Sequence, residues 1–157
     1  MKFYKRGNLH FWEDDNYIIY DEETAYDVMI DKYKRTDTET LIFDCFRYGD
    51  KVAITRNAFA EHNELKNVVF PYGADVRIDS GAFENCKGLE KLSIAETNSS
   101  FYTSALYGCY NLKELALPQG TRLLEDWSLP KDCKVIYTTK IDNDEDLDLT
   151  QQAERGR

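Results

Sequence analysis

The sequence lacks any long hydrophobic run. No stretch reaches the about 18 consecutive apolar residues that a membrane-spanning helix needs. Residues 1–8 are followed by His10, Glu13 and Asp14 rather than by the apolar core of a secretory signal. We therefore expect a cytoplasmic protein without a membrane partner. A surface location is the alternative if a signal was removed.

Histidine is scarce, and the short motifs of common enzymes are missing. His10 and His62 are the two histidines, so few nucleophile–base–acid triads are possible. The sequence contains no GxSxG, Walker loop, HExxH or GxGxxG motif. These absences predict a non-catalytic protein with no catalytic residues and no cofactor.

The four cysteines lack the CxxC spacing of metal sites. They are Cys45, Cys86, Cys109 and Cys133. Cys86 and Cys109 occupy the same position in consecutive repeats, where we expect each to pack as a small apolar residue. His62 stands at this position one repeat earlier. His62 and Cys109 would lie two steps of about 4.8 Å apart, which is too far for one tetrahedral zinc, so we predict no metal site.

Basic residues are too few to form a basic face. The chain has 20 Lys and Arg against 29 Asp and Glu, a net charge of −9. The excess is −4 in residues 1–51, −2 in residues 52–137 and −3 in residues 138–157. Nucleic-acid binding depends on Lys and Arg that neutralise phosphates. The charge balance therefore excludes direct nucleic-acid binding and favours a protein partner with a basic surface.

What the chain does contain is one apolar spacing written three times. Each block starts with a small-plus-bulky pair, has its next anchor 7 residues after the alanine, and has two more anchors 3 and 5 residues beyond that. The blocks follow one another at steps of 24 and 23 residues. Such repeats bury their apolar sides by stacking, which predicts a solenoid. The anchors are Ala58-Phe59, Leu65, Val68 and Phe70, then Ala82-Phe83, Leu89, Leu92 and Ile94, then Ala105-Leu106, Leu112, Leu115 and Leu117.

Alternation at the end of each block predicts a half-buried strand. In the second block, Leu92 and Ile94 should face the core, while Lys91 and Ser93 should face solvent. Stacking places the equivalent anchors in columns, and each fully buried side chain contributes roughly 1.5–3 kcal/mol. The expected core columns are Leu65, Leu89 and Leu112, and Phe59, Phe83 and Leu106.

The segment IDSGAFENCKGLEKLSI at residues 78–94 resembles one unit of the BspA-type leucine-rich repeat of bacterial proteins. Blocks at 54–71, 78–95 and 101–118 fit this pattern, and a degenerate fourth unit near 124–137 ends at Val135-Ile136-Tyr137. The resemblance implies a β-rich α/β solenoid, a short right-handed stack with parallel strands, of bacterial or phage origin. It also implies a protein-binding role.

Three regions are predicted. Residues 1–40 form an N-terminal β-rich cap, in which residues 9–12, 17–20 and 26–30 are expected to make an antiparallel meander. Residues 41–137 form the solenoid, with residues 41–43 as its first strand. Residues 138–157 have almost no apolar content and are predicted to be a flexible, acidic tail.

One candidate binding surface is the outer side of the strand sheet. Alternation predicts that Lys91 and Glu114 lie there in one row with Asn67. The residues of this surface are small and mixed in charge. They are nevertheless exposed positions at which a protein partner could make contact.

The second candidate surface comes from the positions at which the third block departs from the others. Tyr102, Tyr107 and Tyr110 replace polar residues of the preceding block, so we expect them to form an exposed aromatic cluster, which Trp127 extends. Tyrosine is enriched at interface hot spots. The alternative is that these tyrosines pack under the C-terminal segment as an end cap.

The sequence thus predicts a non-catalytic protein-binding module, a small acidic binder or inhibitor of a larger protein. One alternative is a capping or adhesive fragment of a surface leucine-rich repeat array. Another is an acidic anti-defence protein, similar to an anti-CRISPR protein, that occupies the basic nucleic-acid groove of its target.

Overall fold

The computed structural model describes residues 1–6, 9–14, 17–35, 39–43, 48–71, 73–96, 100–124 and 128–138. The helices and strands are, in chain order, β1 (Lys2–Arg6), β2 (Leu9–Asp14), β3 (Tyr17–Tyr20), α1 (Glu22–Arg35), β4 (Thr40–Ile42), β5 (Asp50–Ile54), β6 (Asn67–Phe70), β7 (Ala74–Ile78), β8 (Lys91–Ile94), β9 (Ser100–Tyr102), β10 (Glu114–Pro118), β11 (Arg122–Leu124) and β12 (Lys134–Thr138). A short 3-10 helix at Thr103–Leu106 lies between β9 and β10.

Parallel strands on two sides of the molecule form a solenoid. On the first side, β3, β5 and β7 pair in parallel, and β9 pairs in parallel with β11. On the second side, β4, β6, β8, β10 and β12 form one parallel sheet. Four coils result, each with one strand from each side: coil 1 (β5 and β6), coil 2 (β7 and β8), coil 3 (β9 and β10) and coil 4 (β11 and β12).

The repeat anchors form the core, as the spacing predicts. A strand side chain that faces inward in one coil lies over its equivalent in the next, because the strands pair in register. All the anchors are at most 5% exposed. In the two predicted columns, no side chain is more than 2% exposed. These columns are Leu65, Leu89 and Leu112, and Phe59, Phe83 and Leu106. The resemblance therefore predicted the fold class correctly.

Parallel strands lie near both ends of the region that is predicted to form the solenoid. Residues 40–42 form β4, which pairs in parallel with β6 as the first strand of the second sheet. The degenerate fourth unit ends in β12, which pairs in parallel with β10 over its whole length. The domain limits at residues 40 and 137 stay predictions, and the predicted acidic tail falls almost entirely outside the described residues.

The N-terminal cap differs from the expected meander in one element. Strands β1, β2 and β3 are antiparallel, as predicted for residues 9–12 and 17–20. The predicted strand at residues 26–30 is wrong, because these residues lie within α1. Ala25, Val28 and Met29 are all buried at helical spacing, so burial of this face overrides the β propensity of the segment.

A reciprocal cap starts α1. The Thr24 backbone N–H donates to Asp21 Oδ1 at 3.0 Å, and the Asp21 N–H donates to Thr24 Oγ1 at 2.9 Å. Glu22 and Glu23 follow in the first turn, where their negative charges interact favourably with the positive end of the helix dipole. Between β3 and β4, α1 takes the place that short turn segments take in the later coils.

A row of aromatic rings joins the cap to the solenoid. Successive ring centroids lie 5.3–6.2 Å apart, within the range of favourable aromatic pairs. The cap therefore packs directly on the repeat core. The row contains Tyr4, Phe11, Tyr20, Phe43, Phe59 and Phe83.

In the described part of the chain, no helix has the length and apolarity to cross a membrane.

Candidate functional site

The turn edge of the solenoid consists of the segments that connect the two strands of coils 1, 2 and 3: residues 55–66, 79–90 and 103–113. Adjacent segments are joined by backbone hydrogen bonds. The Phe59 N–H donates to Ala82 O at 2.8 Å, and the Phe83 N–H donates to Ala105 O at 2.9 Å. Since this ladder satisfies backbone groups, the side chains between its rungs are free to differ from coil to coil.

Inside this edge, the repeated cysteines are structural. Cys86 and Cys109 are at most 1% exposed, and their thiols donate to Phe59 O and Phe83 O, each at 3.1 Å. The hydrogen bond with Cys109, together with burial, raises the pKa of Cys86 above its usual value. Such a thiol remains protonated and inert at neutral pH. Among the described residues, no three His, Cys, Asp or Glu side chains are placed to hold one metal ion.

On the solvent-facing side of this edge, three tyrosines of coil 3 are exposed. Tyr102, Tyr107 and Tyr110, the tyrosine flank, are 47%, 49% and 70% exposed. Tyr102 ends β9, and the other two follow the 3-10 helix on the same edge. Trp127, the predicted extension of this flank, lies outside the described residues. The role of these residues in binding stays a prediction.

The other two predicted contact residues pair with each other. Lys91 and Glu114 are partners in the register of β8 and β10 on the second sheet. Their side chains form an ion pair with Lys91 Nζ 3.2 Å from Glu114 Oε2. Each charge is thereby partly screened by the other, so neither is as available to a charged group of a partner as an unpaired side chain is. Their contact with a partner also stays a prediction.

Where α1 meets the turn edge, the structure contains a cleft that the sequence did not reveal. We call it the acidic cleft. It comprises two adjoining concavities of about 480 Å³ and about 410 Å³, which share Glu22 and Asn57. The first is lined by Glu22, Tyr26, Asn57, Ala58, Ala60, Glu61, His62, Glu84 and Asn85, and the second by Asp21, Glu22, Glu23, Thr55, Arg56 and Asn57.

The charge in the cleft is mostly negative. Glu22 comes from α1, whereas Glu61 and Glu84 come from consecutive turn segments, whose backbones are joined by a hydrogen bond from Glu61 N–H to Glu84 O at 2.8 Å. None of these three carboxylates forms an ion pair with another described residue. Arg56 lines the second concavity. His62, which lines the first, interacts with Glu64 through a 3.0 Å contact between its Nδ1 and Glu64 Oε2.

The floor of the cleft has an unusual backbone. Asn57, Glu61 and Asn85 have φ values of 64°, 65° and 61°, and they are the non-glycine residues with positive φ in the described part of the chain. Asparagine tolerates this region, but glutamate does so at a cost. Gly108 holds the position in coil 3 that is equivalent to Glu61 in coil 1 and Asn85 in coil 2, also at positive φ. Comparison of the blocks could therefore have identified Glu61 as the residue that departs from the pattern.

Comparison with known proteins finds a matching family model. The family model described as BspA type leucine rich repeat region matches residues 51–147 in six copies. No curated protein and no solved structure matches the chain. The matched region includes the turn edge, the tyrosine flank and the part of the acidic cleft that the coils supply.

Proposed function

Because the chain belongs to the BspA-type leucine-rich repeat family, whose solenoids serve as protein-interaction scaffolds, we propose that it is a non-catalytic protein-binding module. Its partner is a larger protein with a basic surface, which this chain binds or inhibits. The tyrosine flank makes the central contact. The cytoplasmic location expected from the sequence goes with this proposal.

The observation that carries the proposal is the exposure of three tyrosines on one edge. Tyr102, Tyr107 and Tyr110 occur where coil 2 has Asp79, Glu84 and Lys87. Large aromatic side chains lose apolar contact with water when a partner covers them, and their hydroxyls retain a hydrogen-bonding group. Few other residue types combine these properties, which is why tyrosines are frequent at the centres of interfaces.

Charge supports the choice of a basic partner. The chain carries a net charge of −9. Complementary charge speeds association and disfavours acidic competitors more than it adds affinity. The net negative charge supports binding to a basic nucleic-acid groove, as in the anti-defence alternative, to the same extent as binding to any other basic protein. In either case, the complex should weaken as the salt concentration is raised.

Affinity capture from the native host, followed by calorimetric titration of the captured protein, tests the proposal. The Tyr107→Ser/Tyr110→Ser variant should bind at least tenfold more weakly. Its melting temperature should stay close to that of the unchanged protein, because substitutions at exposed sites usually shift stability by less than about 0.5 kcal/mol each. Tyr48→Ser removes a tyrosine that is 78% exposed on another part of the surface and serves as the matched control.

Two results would contradict the proposal. Unchanged affinity together with a large fall in melting temperature would show that the tyrosines are an end cap. An equal loss of affinity in the Tyr48→Ser control would show that the effect is not specific to the tyrosine flank. Assembly with other leucine-rich repeat chains alone would instead select the surface-array alternative.

A further inference from the structure

We infer that the acidic cleft receives arginine or lysine side chains of the partner protein and so forms a second contact beside the tyrosine flank. This inference rests on the proposed function, since it concerns the same partner. It assigns a specific part of the surface to the basic residues of that partner.

Three of the carboxylates that line the cleft come from three separate segments of the chain. Glu22 lies on the first turn of α1, Glu61 on the turn segment of coil 1 and Glu84 on that of coil 2. They are not paired with cations among the described residues. Carboxylates placed around a concavity can hold one guanidinium or ammonium group with less loss of freedom than a flat surface can, because part of the geometry exists before binding.

An exposed aromatic ring completes the recognition chemistry. Tyr26 on α1 is 60% exposed and lines the same concavity as Glu22 and Glu61. An arginine side chain can stack on such a ring while its guanidinium donates to carboxylates. A combination of ring and carboxylates is more selective for a cationic side chain than charge alone.

The cleft is continuous with the tyrosine flank. Glu84 of coil 2 and Tyr107 of coil 3 occupy equivalent positions in adjacent turn segments. The Asn85 N–H donates to Tyr107 O at 2.8 Å, so the two segments are in direct contact. One partner segment can therefore place an apolar part on Tyr107 and a cationic residue in the cleft.

The size of the cleft fits side chains rather than a flat surface. The larger concavity has a volume of about 480 Å³ and is open to solvent beside Tyr26. This is within the range of small-ligand pockets. A phosphate-bearing ligand is disfavoured here, because Glu22, Glu61 and Glu84 would repel it.

The test uses the full chain and a hexa-arginine peptide as the probe, with a hexa-glutamine peptide as the neutral comparison. In isotope-labelled protein, hexa-arginine should shift the backbone amide signals of Asn57, Glu61 and Asn85. The Glu22→Gln/Glu61→Gln/Glu84→Gln variant should bind hexa-arginine roughly tenfold more weakly, since each desolvated or partly buried contact contributes a few-fold.

A matched variant separates the cleft from general charge. Glu13→Gln/Glu90→Gln/Asp132→Asn also removes three carboxylates, and none of these residues lines the cleft. It should weaken hexa-arginine binding less than twofold. Equal weakening by both triple variants, or peptide-induced shifts spread over the whole surface, would overturn the inference.

Measurements with the captured partner distinguish the two proposals. If the tyrosine variant loses affinity and the cleft variant does not, the proposed function stands and the cleft inference is wrong. If both variants bind as the unchanged protein does, both proposals are wrong. Loss in both variants, each larger than in its matched control, supports both.

Discussion

Replacing Gly88 with alanine tests whether the turn segments of adjacent coils are in backbone contact. The Cβ of an alanine at residue 88 would overlap the carbonyl oxygen of Asn63 and lie 3.2 Å from Leu65 O. These are backbone atoms, which a side-chain rotation cannot move. The turn segments of coils 1 and 2 must therefore separate to accommodate the methyl group.

The cost follows from the hydrogen bonds on either side of the contact. Lys87 N–H donates to Asn63 Oδ1 at 2.9 Å, and Glu90 N–H donates to Lys66 O at 2.8 Å. Losing both costs roughly 1–3 kcal/mol, and poorer packing nearby costs roughly 1–2 kcal/mol. Alanine also lowers the conformational entropy of the unfolded chain, which offsets about 0.4–1 kcal/mol of this loss in stability. We expect a net loss of about 3 kcal/mol.

For a chain of this length, such a loss lowers the melting temperature by roughly 6–12 °C. Circular dichroism melts and urea titrations measure it. Gly120→Ala is the control: Gly120 has a φ of +89° and no atom within 4 Å of its added Cβ, so only the backbone cost of about 1–2 kcal/mol applies. If Gly88→Ala is no less stable than Gly120→Ala, the coils are not in the contact described.

This result is informative because the repeats alone predict the opposite. The position of Gly88 is held by Glu64 in coil 1 and by Asn111 in coil 3. A comparison of the blocks would therefore predict that a side chain is tolerated in coil 2 as well. Only the close approach of residue 88 to the preceding coil makes glycine necessary there.

Three further predictions concern the cap, the floor of the cleft and the thiols. Asp21→Ala should destabilise the protein by about 1 kcal/mol in urea titrations, because it removes the cap of α1; no change would mean that α1 does not depend on this cap. Glu61→Asn should stabilise it by roughly 0.5–1 kcal/mol, since asparagine tolerates positive φ better, as it does at Asn85; a loss of stability would contradict the strain. In alkylation followed by peptide mass spectrometry, Cys86 should stay unmodified in the folded protein. Cys133 should react faster as pH rises, reaching its plateau at a higher pH than in urea, because burial and the nearby Glu114 raise its pKa and favour the thiol; a plateau at the same pH as in urea would exclude the raised pKa.

The repeat spacing was sufficient to predict the core, because stacking in register leaves equivalent positions no choice of neighbour. Leu65, Leu89 and Leu112 are buried for this reason. Exposure of Tyr107 could also be predicted, since its equivalent in coil 2 is the charged Glu84. The ion pair of Lys91 with Glu114 could have been predicted from the same alignment, because these residues stand at one repeat position and have opposite charges.

The helix shows where local patterns in the sequence were ambiguous. The segment at residues 26–30 combines residues of high β propensity with apolar spacing that also suits a helix. The buried side chains of Val28 and Met29, together with the cap at Asp21, favour the helix. Local propensity differs by less than the free energy gained from burying an apolar face, so tertiary packing decides such cases.

The sequence by itself determined the solenoid, the parallel pairing of its strands and the inward set of apolar residues, because a repeated offset allows one way of stacking. The tertiary structure decided the rest. It alone placed the first turn of α1 beside two turn segments more than 30 residues further along the chain. Contacts over such distances depend on how the cap packs on the first coil, and no repeat spacing encodes that packing.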